Sequence, residues 1–266
     1  MRSAISYRQG IRLALAILLL ALAGCGSATE RTLEEAFEQV YAIEPTANIT
    51  VTNEDGAVFV YGSNINEMRV EAIKKAYTRE RLKQIAVNVS VQEGSASIET
   101  SIPKKQRWDF SDRSGTVDYT IVVPTTANLS RLQLRDGEVL VDGMSGETVR
   151  ARLRNGTVFA HNCFSNVEFT LDRGTLTLAH DWWEPRKFSI QANIALGNAW
   201  AVLPSDAAFH LIAETGDGKI ENDFEKSAER GTEETTRTDT SIHGGGKAAL
   251  RIHTTAGNIK IVETNP

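Results

Sequence analysis

The sequence predicts an all-β fold built as a single-stranded β-solenoid with coils of about 20 residues. One observation is that apolar and polar residues alternate with a period of two along most of the chain, which is typical of strands. The other is the regular recurrence of glycine. The intervals between Gly137, Gly156, Gly174, Gly197 and Gly216 are 19, 18, 23 and 19 residues. Such a recurrence indicates stacked units rather than unrelated strands.

Each unit consists of an alternating strand, a polar pair, a glycine, one free position and then an apolar–any–apolar triplet. In one unit, Leu132 and Leu134 precede Gly137, and Val139 and Val141 follow it. A single unit exposes apolar side chains that it cannot bury alone, so stacking of the units forms one interior. Glycine suits the corner because the backbone there takes a positive φ or bends sharply.

An antiparallel β-meander or sandwich is the alternative architecture. It would use Asp136-Gly137 and Asn155-Gly156 as two-residue hairpin turns, for which Asp-Gly and Asn-Gly are typical. The solenoid is favoured because the later corners, Arg173-Gly174 and Ala256-Gly257, are poor sequences for a type I′ turn.

The N-terminus has the pattern of a secretory signal peptide over residues 1–24. Arg2, Arg8 and Arg12 form a basic start, and the apolar segment 13–22 follows. This apolar segment is shorter than the stretch of about 20 residues that a membrane-spanning helix needs. Small residues then lead to a cysteine.

Leu22-Ala23-Gly24-Cys25 resembles the lipobox of bacterial lipoproteins, in which the cysteine carries the lipid. We therefore predict lipid attachment at Cys25 and a tether over residues 25–36. An ordinary signal peptide with a chance cysteine, or an uncleaved anchor, is the alternative. Gly26 follows the cysteine in place of aspartate, which favours the outer membrane in a cell with two membranes.

The chain of 266 residues has 29 Lys and Arg against 34 Asp and Glu, a net charge of −5. Removal of the signal peptide takes away three arginines, which leaves 26 basic against 34 acidic residues, a net charge of −8. Such a surface repels nucleic acid, so we expect no nucleic-acid partner. If Cys25 carries lipid, Cys163 has no disulfide partner, and we interpret it as a small buried hydrophobic residue.

The predicted solenoid domain spans residues 37–266 and is interrupted at three places. Residues 68–84 are charged and predict a short helix or a loop, and residues 103–114 are polar. Residues 225–246 are rich in Glu, Arg, Thr and Gly and have no apolar periodicity. We interpret this last segment as a solvated, flexible insertion between the last two units.

Three passages have a distinctive order along the chain. Tyr119–Pro124 is followed by Ala127-Asn128-Leu129, a string of Gly-x-Val-x-Val units comes next, and Gly244–Ile252 with Gly257–Ile261 closes the chain. In this order they resemble the bacterial family of "putative adhesin" domains of unknown function, over about residues 37–263. The resemblance implies a right-handed β-helical fold in an envelope or surface protein, and it implies no catalytic residues.

Residue types that support catalysis or bind metals do not recur at equivalent positions of the units. The position before each corner glycine forms no acidic ladder, since it holds Asp55, Asp136, Asn155, Arg173, Leu196, Thr215 and Ala256. The histidines form no pair at zinc-binding spacing, and His180-Asp181 is the one adjacent histidine–acid pair. We therefore predict no catalytic, cofactor-binding or metal-binding residue and no enzymatic activity.

Trp182 and Trp183 lie in the widest glycine interval, so we expect them in a loop between units. Paired exposed tryptophans stack on sugars or anchor a protein partner. The other interpretation is that the pair covers an edge of the solenoid or seals a corner.

The leading hypothesis is a lipid-anchored, non-enzymatic envelope protein that presents a solenoid surface for adhesion or protein interaction. Its partners would be the membrane, through Cys25, and an envelope protein or a glycan. One alternative is a glycan-binding or glycan-active β-helix of the pectate-lyase type, which would need clustered carboxylates. The other alternative is an accessory protein in envelope-stress signalling.

Overall fold

The computed structural model describes residues 32–103, 115–225 and 235–265. These residues are 70% strand and 3% helix, so the predicted all-β class is confirmed. The strands are β1 (Leu33–Ala42), β2 (Asn48–Ser63), β3 (Glu67–Ala76), β4 (Ala86–Gln92), β5 (Ser95–Ser101), β6 (Thr116–Pro124), β7 (Asn128–Asp142), β8 (Thr148–His161), β9 (Asn166–Ala179), β10 (Ser189–Leu196), β11 (Ala199–Pro204), β12 (Phe209–Asp217), β13 (Ile220–Asn222), β14 (Arg237–Ile242), β15 (Ala248–Ala256) and β16 (Ile259–Thr264). Within the described ranges there is one helix, α1 (Arg79–Gln84).

The strands join in one mixed sheet, whose main order is β1-β3-β6-β2-β7-β8-β9-β10-β15-β12-β14. All neighbours from β6 to β12 are parallel. The pairs β1–β3, β3–β6 and β12–β14 at the two ends are antiparallel, and so is β4–β5. Strands β11, β13 and β16 pair in parallel beside this path. The sheet therefore combines a parallel centre with the antiparallel pairing of the alternative architecture.

The corner glycines lie inside long strands and are aligned across the sheet. Gly56, Gly137, Gly156 and Gly174 are register partners on β2, β7, β8 and β9. The offset is 19 residues between β7 and β8 and 18 between β8 and β9, which equals the glycine intervals. Both halves of β7 stay in the same parallel ladder, so the hairpin turn expected at Asp136-Gly137 under the alternative does not form.

The last two units are stacked in the reverse of their order along the chain. Strand β15 lies between β10 and β12 and pairs with both. A Cβ atom on Gly257 would lie 1.9 Å from the carbonyl oxygen of Gly197, and one on Gly218 would lie 2.1 Å from that of Gly257. The unit around Gly216 follows the unit around Gly197 in the sequence but is not stacked against it. The chain returns with β15 and β16 to fill the place between them.

The predicted flexible insertion, residues 225–246, contains a strand. Residues 226–234 lie outside the described residues, but Arg237–Ile242 form β14, which is antiparallel to β12. Strand β14 therefore covers the edge of the outermost parallel strand. Coverage of such an edge blocks uncontrolled pairing with other chains.

The other interruptions and the N-terminus are described in part. In the charged segment 68–84, strand β3 is followed by α1, whose N-cap Thr78 accepts a hydrogen bond from the Arg81 backbone N–H at 3.2 Å. Residues 104–114 and residues 1–31, which include the predicted signal peptide, lie outside the described residues. Strand β1 begins at Leu33, inside the predicted tether. No helix in the described part of the chain is long and apolar enough to cross a membrane.

The apolar core consists of rows of buried side chains that run across the parallel strands. One row contains Val58, Val139, Val158, Leu176, Ala199, Ile259 and Ile220. Another contains Leu134, Leu153, Leu171 and Ile194 and ends in Thr254 and Thr215. The Thr254 hydroxyl donates to the Thr215 hydroxyl at 2.9 Å, which donates to the Gly257 carbonyl at 2.7 Å. These hydrogen bonds satisfy the two buried polar groups.

We expect Gly156→Ala to destabilise the protein strongly. The added Cβ would lie 1.8 Å from the Gly137 carbonyl oxygen, and the φ of +136° is unfavourable for alanine. Together these effects cost on the order of 3–5 kcal/mol or prevent folding. Urea unfolding monitored by circular dichroism measures the loss.

Gly244→Ala is the matched control for this variant. Gly244 also has a positive φ, +81°, but no described atom lies within 4 Å of its added Cβ. The backbone conformation alone should cost about 1 kcal/mol. Equal losses in the two variants would contradict the role that we assign to the stacking contact.

Candidate functional site

Trp182 and Trp183, which the sequence indicates as a possible partner contact, lie in the segment 180–188, which links β9 to β10. Trp183 is partly buried, and its indole Nε1 donates a hydrogen bond to the Ala208 carbonyl at 3.1 Å. Its ring centroid lies 5.3 Å from that of Phe188 and 5.6 Å from that of Phe209. Trp183 therefore packs over the core, which is the edge-covering role considered for the pair.

Trp182 is placed differently from its neighbour, since it is 50% exposed. Its ring centroid lies 5.7 Å from that of Phe164, with the two planes tilted by 38°. The indole is thus supported by a buried phenyl ring while much of its surface faces solvent. An indole held in this way can stack on a sugar ring or anchor a side chain of a partner.

A depression of about 320 Å³ adjoins the ring that supports Trp182. The residues that line it include Glu147, Phe164, Asn166, Arg186, Lys187 and Phe188. Arg186 contacts Glu184 at 3.4 Å and donates to the Ser145 carbonyl at 3.4 Å, which orients its guanidinium. The depression combines a buried apolar surface with cationic and amide groups at its rim. This combination suits a polar ligand with an apolar face, such as a sugar.

His180 is buried, and its ring contacts Trp183, Phe164 and Phe188. Its Nε2 lies 3.3 Å from the Cys163 carbonyl oxygen, whereas Nδ1 has no hydrogen-bond partner among the described residues. Its ring is 4.9 Å from Phe164 and 5.7 Å from Trp183. Burial lowers the pKa of His180 to about 4, so the imidazole is neutral at pH 7. His180 therefore acts as an aromatic core residue.

Cys163 is also a core residue, and it is 1% exposed. Burial raises the pKa of its thiol to about 12, so it remains protonated at neutral pH. The interpretation of Cys163 as a small buried hydrophobic residue is confirmed.

His161 lies between two carboxylates on the surface. Its Nδ1 is 2.9 Å from Asp142 Oδ1, and its Nε2 is 3.0 Å from Asp181 Oδ2. Burial lowers the pKa of His161, but the hydrogen bonds to Asp181 and Asp142 outweigh this effect and the net pKa is raised. His180 and Asp181, the adjacent histidine–acid pair of the sequence, therefore have different environments. Asp181 contacts His161 on the surface, whereas His180 is buried in the core. The repeat could have revealed this cluster, because its members are 19 and 20 residues apart.

The residues before the corner glycines form one row, as the repeat implies. Asp55, Asp136, Asn155 and Arg173 are register partners on four neighbouring strands. The Asn155 amide donates to Asp136 Oδ1 at 2.6 Å. The row mixes acidic, amide and basic groups, so repulsion between like charges is limited.

Arg135 connects this row to the carboxylate of Glu54. The sequence did not indicate a role for Arg135, because it lies one position before the residue that precedes the corner glycine. Its guanidinium contacts Asp55, Asp136 at 2.7 Å and Glu54 at 3.1 Å. Burial raises the pKa of Asp55 despite the nearby Arg135. Hydrogen bonds from Asn155 and Arg135 lower the pKa of Asp136. The cluster links β2 to β7 on the exposed side of the sheet.

Two other expectations concern sites. Cys25 lies outside the described residues, so lipid attachment there stays a prediction. Within residues 32–103, 115–225 and 235–265, no group of three or more His, Cys, Asp or Glu side chains could hold a metal ion.

No protein-family profile matches the sequence, and no curated protein does. Among solved structures, the chain is similar to a "putative cell adhesion protein" from Clostridium sporogenes, with 16% identity and a TM-score of 0.50 over 86% of this chain and 100% of that one. It is also similar to a "putative adhesin" from Bacteroides fragilis, with 12% identity and a TM-score of 0.33 over 86% of this chain and 97% of that one. The first likeness shows a shared fold.

We expect His180→Leu to remove an acid-dependent loss of stability. The pKa of His180 is about 4 in the folded protein and about 6.5 in the unfolded chain, so the unfolded chain binds the proton first. Wild-type stability is therefore intact above pH 6.5 and falls as the pH is lowered to 4, by on the order of 3 kcal/mol. Urea unfolding at several pH values should show a smaller fall in His180→Leu.

We expect the stability change caused by His161→Asn to have the opposite dependence on pH. The raised pKa of His161 contributes stability that is present below pH 6.5 and is lost as the pH rises through the folded value. The variant should therefore lose more stability relative to wild type at pH 6 than at pH 8. Parallel pH profiles for wild type and His180→Leu would show that His180 does not cause the acid sensitivity.

Proposed function

We propose that this chain is a lipid-anchored, non-enzymatic binding protein of the bacterial cell envelope. Its strands form a right-handed β-solenoid that presents a surface for adhesion or protein interaction. The observation that carries the proposal is the exposed indole of Trp182, which Phe164 supports beside a depression with apolar and cationic groups. Similarity in fold to a "putative cell adhesion protein" is consistent with this role.

The parallel register supports a solenoid. Successive units pair strand to strand at offsets of 19, 18 and 23 residues, and their corner glycines are aligned. Connections between parallel strands of one sheet are right-handed in nearly all proteins, which favours a right-handed coil. The antiparallel strands β1, β3 and β14 fit a sandwich or meander, and we assign them to caps over the ends of the coil.

The sequence around Cys25 supports the lipid anchor. A basic start, a short apolar segment and Leu22-Ala23-Gly24 precede the cysteine. A diacylated cysteine would insert two acyl chains, and each buried methylene contributes about 0.8 kcal/mol. Two chains give stable attachment where a single chain is reversible. Placement in the outer membrane is part of the proposal, because Gly26 follows the cysteine.

A glycan-active protein is the second candidate, and one observation favours it. The pKa of Asp55 is raised by burial while that of its neighbour Asp136 is lowered by Asn155 and Arg135. Carboxyl groups with pKa values moved apart can act as acid and base on a glycosidic bond. We favour the binding function because Arg135 contacts both carboxylates and occupies their shared surface.

Cys25→Ala should release the protein from membranes. Without the thiol no acyl chain can be attached, so the protein should move to the soluble fraction and take up no labelled palmitate. Cys163→Ala is the control, because it removes the buried thiol and should leave both readouts unchanged. Absence of palmitate label in the wild-type protein would contradict the anchor.

Trp182→Ala should weaken binding to immobilised glycans or to envelope proteins about tenfold or more, since exposed tryptophans are frequent hot spots. Its melting temperature should change little. Trp183→Ala should instead lower stability by about 3 kcal/mol, because it removes a packed and hydrogen-bonded ring. A glycan array and pull-down from envelope fractions provide the binding readouts. Unchanged binding of Trp182→Ala in both would rule out this site, and release of reducing sugars would favour the glycan-active candidate.

A further inference from the structure

The outward face of β7 and β8 carries a cluster of arginines, which we call the arginine face. Its members are Arg131, Arg135, Arg150, Arg152 and Arg154. On β8 the three arginines occupy successive outward positions, separated by buried Ala151 and Leu153. Because alternate residues of a strand point to the same side, their side chains leave the sheet together.

The charges on this face are not fully compensated. Glu168 and Asp172 on β9 contact Arg150 at 3.3 Å and Arg152 at 3.7 Å. Exposed ion pairs of this kind contribute only about 0–1 kcal/mol, so a ligand can replace them. Arg131 and Arg154 make no ion pair within the ranges that the structure describes.

The arrangement is not explained by stability of the sheet. The register places Arg154 opposite Arg135, because the residues before and after them are paired across the two strands. Like charges that face each other on neighbouring strands are destabilising. The carboxylates of Glu54, Asp55 and Asp136 offset the charge of Arg135, so Arg154 is the uncompensated member of this pair. A binding role accounts for an exposed arginine that has no ion-pair partner among the described residues.

Two shallow grooves lie side by side on the arginine face. One, of about 300 Å³, is lined by residues that include Ser130, Arg131, Arg150, Glu168 and Thr170, and the other, of about 320 Å³, by residues that include Asn53, Arg135, Arg154 and Asp172. Gln133 and Arg152 line both grooves and make them continuous. Guanidinium, amide and hydroxyl groups therefore share one surface with two carboxylates, which are those that pair with Arg150 and Arg152.

We propose that the arginine face binds an acidic glycan, whose carboxylate or sulfate groups contact the arginines. Guanidinium groups bind such anions through two parallel hydrogen bonds. Gln133, Ser130 and Thr170 supply donors and acceptors for sugar hydroxyls. The outward positions repeat about every 6.7 Å along a strand and about 4.8 Å across strands, which gives a fixed lattice for a polymer with regularly spaced charges.

A nucleic acid is the less suitable polyanion. Single-stranded nucleic acids bind to basic grooves that also contain aromatic rings for the bases. None of the residues that line the two described grooves is aromatic. The proposal rests on the binding function given above and names its ligand class, but it uses a surface different from Trp182.

The test measures binding of the full-length protein in detergent to polygalacturonate by titration calorimetry, at an ionic strength of about 0.15 M. Pullulan, a neutral glycan, is the comparison. Wild type should bind polygalacturonate and not pullulan. Arg131→Gln with Arg154→Gln should weaken this binding about tenfold, since two charge-assisted contacts are lost. These arginines form no ion pairs in the described structure, so folding should be unaffected.

Arg69→Gln with Arg79→Gln is the matched control. Both residues are exposed, lie on β3 and α1, and change the net charge by the same amount. This control should bind polygalacturonate within twofold of wild type. Equal weakening in the control, no binding by wild type, or stronger binding to duplex DNA or to phosphatidylglycerol vesicles would overturn the proposal. If Trp182→Ala alone loses binding, the arginine face is wrong while the proposed binding function stands.

Discussion

The structure depends on direct backbone contact between glycines of neighbouring units. Along Gly137, Gly156, Gly174 and Gly197, each added Cβ would lie 1.7–1.8 Å from the carbonyl oxygen of the preceding glycine in the column. A side chain at any of these positions would separate the strands and break the adjacent ladder. Because the contact admits only glycine, it also fixes which residue of one unit lies beside which residue of the next. Register, core rows and surface rows all follow from that alignment.

Once the register is fixed, side chains far apart in sequence become neighbours at the repeat interval. Asp142, His161 and Asp181 meet in this way, and so do Arg135 and Arg154. Clusters of surface side chains are thus formed by residues from several units rather than by any short segment. Short sequence motifs therefore do not reveal these clusters, because the members of each cluster lie on different units.

The glycine intervals and the period-two alternation were sufficient to predict the all-β class and the aligned corners, and the lack of a disulfide partner indicated that Cys163 is buried. They could not predict that β15 lies between β10 and β12, because equal units give no preference for which pair stacks. Nor could they distinguish Trp182 from Trp183. That difference depends on the carbonyl of Ala208, 25 residues away, which binds one indole and leaves the other exposed.

Buried and outward positions of the strands have separate roles, which explains why binding sites can arise on this fold with little loss of stability. The buried rows supply the stability, while outward positions between them make exposed contacts that contribute about 0–1 kcal/mol each. Substitution at those positions therefore changes the surface without endangering the fold. The strands also hold outward side chains at fixed spacing, so a ligand that spans several units loses less freedom in ordering them. Many weak contacts then add to useful affinity, and a long, regular partner benefits more than a small one.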